Sequence, residues 1–217
     1  MNREIINKTE AFLKDTFANS TYLQQNPSEA AYRLEHSYRV ANIAKKIAVT
    51  EGFNVTQAVV AGLLHDIAYC EEMTTQEERR NHGRRGAEIA RPFLESLDFS
   101  QESINAICYG IAIHVDDTSS FEWERTPFSE TVGDADNIDR FDVYRIYEIL
   151  QIQKFSEMSL EQKLERVNTA LGRLNTLREM KLGTATAQSM WKERLEYYIS
   201  FYEKLELQLA NSGKVLF

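Results

Sequence analysis

Residues 58–69 read AVVAGLLHDIAY, and the first seven, Ala58 to Leu64, are apolar without a break. A helix that is apolar on nearly every side has to be enclosed by other elements, so this run predicts the central helix of a bundle. Asn54 and Gln57 form a capping pair at its start, and His65 and Asp66 close it. Ahead of it, a helix starting near Ser28 carries Val40, Ile43 and Ile47 at spacings of three and four. His36 extends that apolar face by one turn, and Gly52 is the expected stop. Arg3 to Phe17 reads as a short amphipathic first helix, followed by a loop from Asn19 to Pro27.

Downstream, Glu71 to Arg80 is polar and is expected to be a loop or a weakly helical insertion. Helical periodicity resumes in HGRRGAEIARPFLESL (82–97), with Pro92 bending or offsetting the helix. Another helix begins near Ser100 and runs through Ile104, Ile107 and Ile111 to His114. DDTSSFEWERTP (116–127) is then a loop bounded by Pro127, and the next helix holds VGDADNIDRF (132–141). Ser159 and Gln162 form a capping box for a helix to about Met180. Gly183 separates that helix from a last one over roughly Ala185 to Ala210. There Trp191, Leu195, Tyr198, Tyr202, Leu205 and Leu209 form one stripe, expected to pack on the bundle, with a homodimer contact as the lesser option.

Only 9 Gly and 3 Pro occur among 217 residues. The expectation is an all-α protein, a compact multi-helix bundle with an additional C-terminal helical segment. Its segments are an N-terminal helix and loop (1–27), a central helical domain (28–150) and C-terminal helices packing on it (151–217).

Lys and Arg number 25 against 33 Asp and Glu, a net charge of -8. Duplex nucleic acid is therefore not expected as a partner. No apolar stretch reaches the ~20 residues of a membrane span, and the charged start MNREIINKTEAFLKD is unlike a signal peptide, so a cytoplasmic location is expected. Cys70 and Cys108 match no metal or redox spacing and read as core or near-core thiols.

All four histidines, His36, His65, His82 and His114, fall at helix ends or on apolar faces. With Asp66 and the later acidic cluster Asp134 and Asp136, imidazoles and carboxylates from several helices can converge. That donor mixture suits a borderline divalent ion (Mn, Fe, Co, Ni or Zn), and a packed bundle supplies the rigidity that ligands at about 2.0–2.2 Å need. Carbonyls at a helix C-terminus add partial negative charge beside His65 and Asp66.

His36, the pair His65–Asp66 inside GLLHDIAY and Asp136 inside GDADNIDR together resemble the HD superfamily of metal-dependent phosphohydrolases, over roughly residues 33 to 145. The resemblance implies an HD-type bundle in which His36, His65, Asp66 and Asp136 bind one metal. Asp136 is preferred to Asp134 because the family places its ligand one residue after a small Ala. His82 and His114 stand where members with a second metal carry two further histidines, Asp66 then bridging both ions. Val115 follows His114 where such members often have another histidine, leaving Asp116 or Asp117 as substitutes, so one ion or two stays open. The acidic residue that some members place one turn after the HD pair is Tyr69 here, with Glu71 and Glu72 the nearest carboxylates.

Arg39, Arg85 and Arg140 lie three or four residues from His36, His82 and Asp136, a spacing that lets each face a bound phosphate. Arg79 and Arg80 read as solvated loop residues. The expected function is hydrolysis of a phosphate ester or anhydride on a nucleotide or another small phosphorylated metabolite, with Asp66 orienting or deprotonating the water. Two alternatives are a di-iron oxygenase of the same fold and a non-catalytic nucleotide-sensing module. Pocket walls are expected from Glu71–Arg80, from Val115–Pro127 with Phe121 and Trp123, and from the C-terminal helices.

Overall fold

A computed structural model of the chain describes residues 1–213 and 215. Among the described residues there are ten α-helices, three short 3-10 turns and no strand. The chain divides into two units, Met1–Asp139 with Gly183–Ala187, and Arg140–Leu182 with Gln188–Phe217.

The first unit begins with α1 (Arg3–Ala18), capped by Asn2, whose side chain accepts from the amides of Glu4 and Ile5. The expected loop after it contains a short helix, α2 (Thr21–Gln25), because the Ser20 hydroxyl accepts from Leu23 N–H and starts a new turn. α3 (Pro27–Glu51) has proline in its first turn and ends on Gly52 at φ 76°, a left-handed stop that favours glycine. α4 (Val55–Leu64) is the predicted central helix, capped by Asn54 accepting from Gln57 N–H, and every residue after Gln57 in it is buried. A Cβ on Gly62 would stand 2.7 Å from Ala41 Cα, so glycine sets the close crossing of α3 and α4. Leu63, Leu64 and Ile67 are sealed in this core, each worth about 1.5–3 kcal/mol of burial.

After a 3-10 turn at Ile67–Cys70, α5 (Gln76–Glu95) starts six residues before His82, within the segment read as a loop. The cause is a capping box: the Thr75 side chain accepts from Glu78 N–H while the Glu78 carboxylate accepts from Thr75 N–H. Arg79 and Arg80 are consequently exposed helix residues. α6 (Gln101–Ile113), capped by Ser100, and α7 (Pro127–Arg140), up to Asp139, also belong to the first unit. Cys108 is buried and Cys70 half-buried, both as free thiols.

The second unit contains α8 (Val143–Ile152), α9 (Leu160–Thr176) and most of α10 (Ala185–Ala210). α8 has no counterpart in the sequence reading. Asp142 caps it, but Val143, Tyr144, Tyr147 and Ile152 are exposed apolar or aromatic residues that blur its period. α9 opens on the Ser159–Gln162 capping box and runs on into a 3-10 turn at Leu177–Glu179. From the α10 stripe, Trp191, Leu195, Tyr198 and Tyr202 are buried, and Phe141 packs edge-to-face on Trp191 at 4.7 Å.

Candidate metal centre

Five helices carry the candidate ligands, two of them at their C-terminal ends. His36 is buried in the middle of α3, and His65 is the C-cap of α4 with Asp66 directly after it. His82 lies on α5, His114 caps the C-terminus of α6, and Asp136 lies on α7. Gly83 lets α5 approach α6: a Cβ there would lie 2.7 Å from Ala112 O and 2.9 Å from Ile111 O. This approach brings His82 Nε2 to 3.0 Å from His114 Nε2.

The outer nitrogens of the rings determine what the inner ones can do. Nδ1 of His65, His82 and His114 donates to the carbonyls of Gly62, Arg79 and Ile111 at 2.8, 2.5 and 2.7 Å. A carbonyl only accepts, so each Nδ1 carries a hydrogen and Nε2 is the ring nitrogen that faces inward. His36 Nδ1 is held by Asp139 Oδ2 at 2.7 Å, and its Nε2 stands 3.3 Å from His65 Nε2 and 3.1 Å from Asp136 Oδ1.

Lone pairs converging at 3.0–3.3 Å repel unless a proton or a cation lies among them, and that donor set fits a divalent ion. His36, His65 and Asp66 form one trio with ligand atoms within 4.8 Å of one another, and Asp66, His82 and His114 form a second. Asp66 belongs to both. Its Oδ1 is 3.1 Å from His82 and 3.6 Å from His65, while its Oδ2 faces His36 at 3.7 Å. Asp134 turns elsewhere and accepts from Gly183 N–H at 2.9 Å.

The electrostatics follow from burial and from these partners. Burial pushes His65 down to about 4, so it is a neutral ligand near pH 7. Burial acts the same way on His36, but hydrogen bonds to Asp136 and Asp139 outweigh it and lift this imidazole to about 9. Burial also opposes ionisation of Asp66, yet the surrounding imidazoles and Arg33 hold its carboxyl well below the usual carboxylate range.

Arg33 is the residue the sequence reading missed. Its Nη1 lies 2.9 Å from Asp66 Oδ2 and its guanidinium lies over the Tyr69 ring at 3.3 Å. The spacing Arg33-x-x-His36 on one helix face carried that signal. Arg39 donates from Nε to Asp139 Oδ1 at 2.8 Å and so steadies the carboxylate behind His36. Arg85 requires a correction: it is taken up by Glu71 at 2.6 Å and Glu88 at 3.0 Å on the exposed side of α5, where two carboxylates neutralise it. Arg140 is exposed at the end of α7 and lines a cavity of the second unit. Asp116 and Asp117 add no ligand to the second trio, because Arg84 holds Asp116 at 2.8 Å and Arg125 holds Asp117 at 2.7 Å. Phe121 packs towards the core beside Tyr109 and Arg91.

This fold and this His/Asp cluster define a helical protein with a buried ligand set that could hold a divalent metal. The HD domain profile matches residues 33–144, just over half of the chain, and the chain belongs to the HD superfamily of metal-dependent phosphohydrolases. It is 41% identical over 74 residues to Ribonuclease Y 1 of Pediococcus pentosaceus, a match that covers 34% of this chain but only 13% of that relative. A solved structure described as a predicted HD superfamily hydrolase, from an uncultured Thermotogales bacterium, superposes with a TM-score of 0.61. That likeness covers 95% of this chain and 91% of the other at 20% identity, and it bears on the fold alone.

Proposed function

We propose that the protein hydrolyses a phosphate ester or anhydride on a nucleotide or another small phosphorylated metabolite, using two divalent ions drawn from Mn, Fe, Co, Ni and Zn. One observation carries the reading: two trios of imidazole and carboxylate ligands share Asp66, with every outer Nδ1 tied to an acceptor. His36, His65, Asp66 and Asp136 would hold the first ion, and Asp66, His82 and His114 the second. When bound, such ions lower the pKa of water and polarise a phosphoryl oxygen.

The chain's own residues supply the rest. Asp66 turns its carboxylate to both trios, with Oδ1 nearest His65, His82 and His114 and Oδ2 nearest His36, while Arg33 fixes its rotamer through Oδ2 and keeps it ionised. The chain of contacts Arg39–Asp139–His36 sets the ring orientation and the proton position of His36. The ribonuclease likeness, which spans residues of an enzyme named for cleaving RNA, supports phosphoryl chemistry rather than a binding module. A second reading, a di-iron oxygenase, is favoured by the shared carboxylate between two histidine-containing trios.

Elemental mass spectrometry on untagged protein purified without chelator tests the proposal. About two equivalents of metal are expected, falling to about one in His82→Ala or His114→Ala, with hydrolysis of a chromogenic phosphodiester lost in Asp66→Ala. No metal after reconstitution with Mn or Fe, or turnover retained by Asp66→Ala, overturns it. Oxygen consumption by an iron-loaded protein without hydrolysis moves the assignment to the oxygenase.

A further inference from the structure

Within the second unit lies a cavity of about 300 Å³ whose lining shares no residue with the histidine cluster. Three helices each turn one face to it. α9 contributes Arg166, Thr169, Ala170, Arg173 and Leu174, which recur at the i, i+3, i+4, i+7 and i+8 positions of a single helical face. α8 contributes Arg145 and Ile149 at a spacing of four, and α10 contributes Tyr198 and Tyr202 at the same spacing. Such faces normally close on one another with leucine-sized side chains. Here α9 presents two guanidiniums flanking a threonine and an alanine, and the space stays open.

The chemistry of the lining is one-sided. The chain carries 33 acidic residues against 25 basic ones, yet Arg140, Arg145, Arg166 and Arg173 line this cavity. Among its described lining residues none is acidic. Arg145 reaches Glu148 at 3.3 Å, outside the lining, and Arg166 Nε donates to the neutral Gln153 Oε1 at 2.8 Å. Tyr198 and Tyr202 are buried at 3% exposure, and their phenols are pushed up by burial while the neighbouring arginines oppose the shift. Both hydroxyls therefore remain protonated donors near pH 7. Phe141, Ile149 and Leu174 give the same cavity an apolar side.

We infer that this cavity is a second anion site, built for a small molecule that carries a pyrophosphate group. Four arginines lining one cavity match the closely spaced charges of adjacent phosphoryl groups better than a single carboxylate or sulfate, since each guanidinium can donate in pairs to phosphate oxygens. The apolar side suits a nucleoside or other organic body attached to the pyrophosphate, and the volume is that of a small-ligand pocket. The site is independent of the hydrolytic reading, because its residues lie outside both trios.

The test is isothermal titration calorimetry of the full chain in EDTA, with inorganic pyrophosphate and with ADP as separate probes and sulfate as the reference. Expected is one site per chain for pyrophosphate or ADP, at least tenfold tighter than for sulfate. Tighter binding of ADP than of pyrophosphate assigns a nucleotide; the reverse assigns the inorganic group. Arg166→Ala combined with Arg173→Ala should weaken binding at least tenfold. Ala170→Leu, which fills the cavity without changing its charge, should do the same. The metal content of all these variants should equal that of the parent protein. Saturable binding that survives both the double substitution and Ala170→Leu, or that is lost only in His36→Ala, overturns the inference, as does no preference over sulfate.

Discussion

Asp139 and His36 are 103 positions apart, yet Asp139 Oδ2 lies 2.7 Å from His36 Nδ1, on the opposite side of the ring from Asp66 and Asp136. The carboxylate orients the ring, while its other oxygen accepts from Arg39 Nε. Outer partners of this kind typically change metal affinity by about 10–100-fold when removed.

Asp139→Ala should therefore weaken divalent-ion binding by about 10–100-fold and leave the helical content intact. Competition against a fluorescent chelator measures it directly. Unchanged affinity would show that the Asp139 contact is structural only.

His36 defines a pH window in the metal-free protein. Its folded value, about 9, exceeds its ordinary 6.5, so the stability it contributes is complete below about pH 6.5 and is lost as pH rises through about 9. Binding of an ion at Nε2 displaces the same proton, so metal affinity should rise over this window by up to about tenfold per pH unit. Thermal unfolding with and without Mn should show a stabilisation by metal that widens from pH 6.5 to 9. A constant difference would remove His36 from the ligand set.

Gly83→Ala places a methyl group against the carbonyls of Ile111 and Ala112, at 2.9 and 2.7 Å. Backbone cannot yield as a flexible side chain can, so α5 must move off α6 at a cost of about 1–3 kcal/mol. The histidines of the second trio, His82 and His114, then separate, whereas His36, His65 and Asp66 do not depend on that contact. The expected readout is loss of about one metal equivalent of two, by elemental mass spectrometry; full retention would contradict the close-approach role.

Asp134 behaves in the opposite sense to Asp66. Burial pushes its carboxyl up to about 7, while the hydrogen bond from Gly183 N–H works against this and Glu130 adds to it. Because the folded value exceeds the ordinary 3.8, ionisation destabilises the fold; the cost is absent below about pH 3.8 and complete above about pH 7. Asp134→Asn keeps an acceptor for Gly183 and should gain on the order of 1–3 kcal/mol at pH 8 and little at pH 4. Urea unfolding at the two pH values checks it, and an equal effect at both would refute the buried-carboxyl account.

The helical framework was legible where local chemistry is unambiguous. Gly52, Asn54, Ser100 and the Ser159–Gln162 box mark helix ends that the structure places within a residue or two of the reading. It was not legible at α5, where the Thr75–Glu78 box lies inside a wholly polar stretch with no apolar period to announce it. α8 was hidden for the converse reason, its aromatic residues being exposed.

By itself the sequence determined the fold class, the ordering of His36, His65, Asp66, His82, His114 and Asp136 along it, and so the family and the kind of ion those donors suit. These depend on residue type and on spacings within one or two turns, which every helix imposes on its own residues. Only the tertiary structure decided that Arg33 reaches Asp66, that Arg85 is taken up by Glu71 and Glu88, and that Asp116 and Asp117 are spent on Arg84 and Arg125. Each of those choices is a distance of a few ångströms between side chains whose backbones meet through packing, such as the contacts at Gly62 and Gly83, and no local periodicity carries that information.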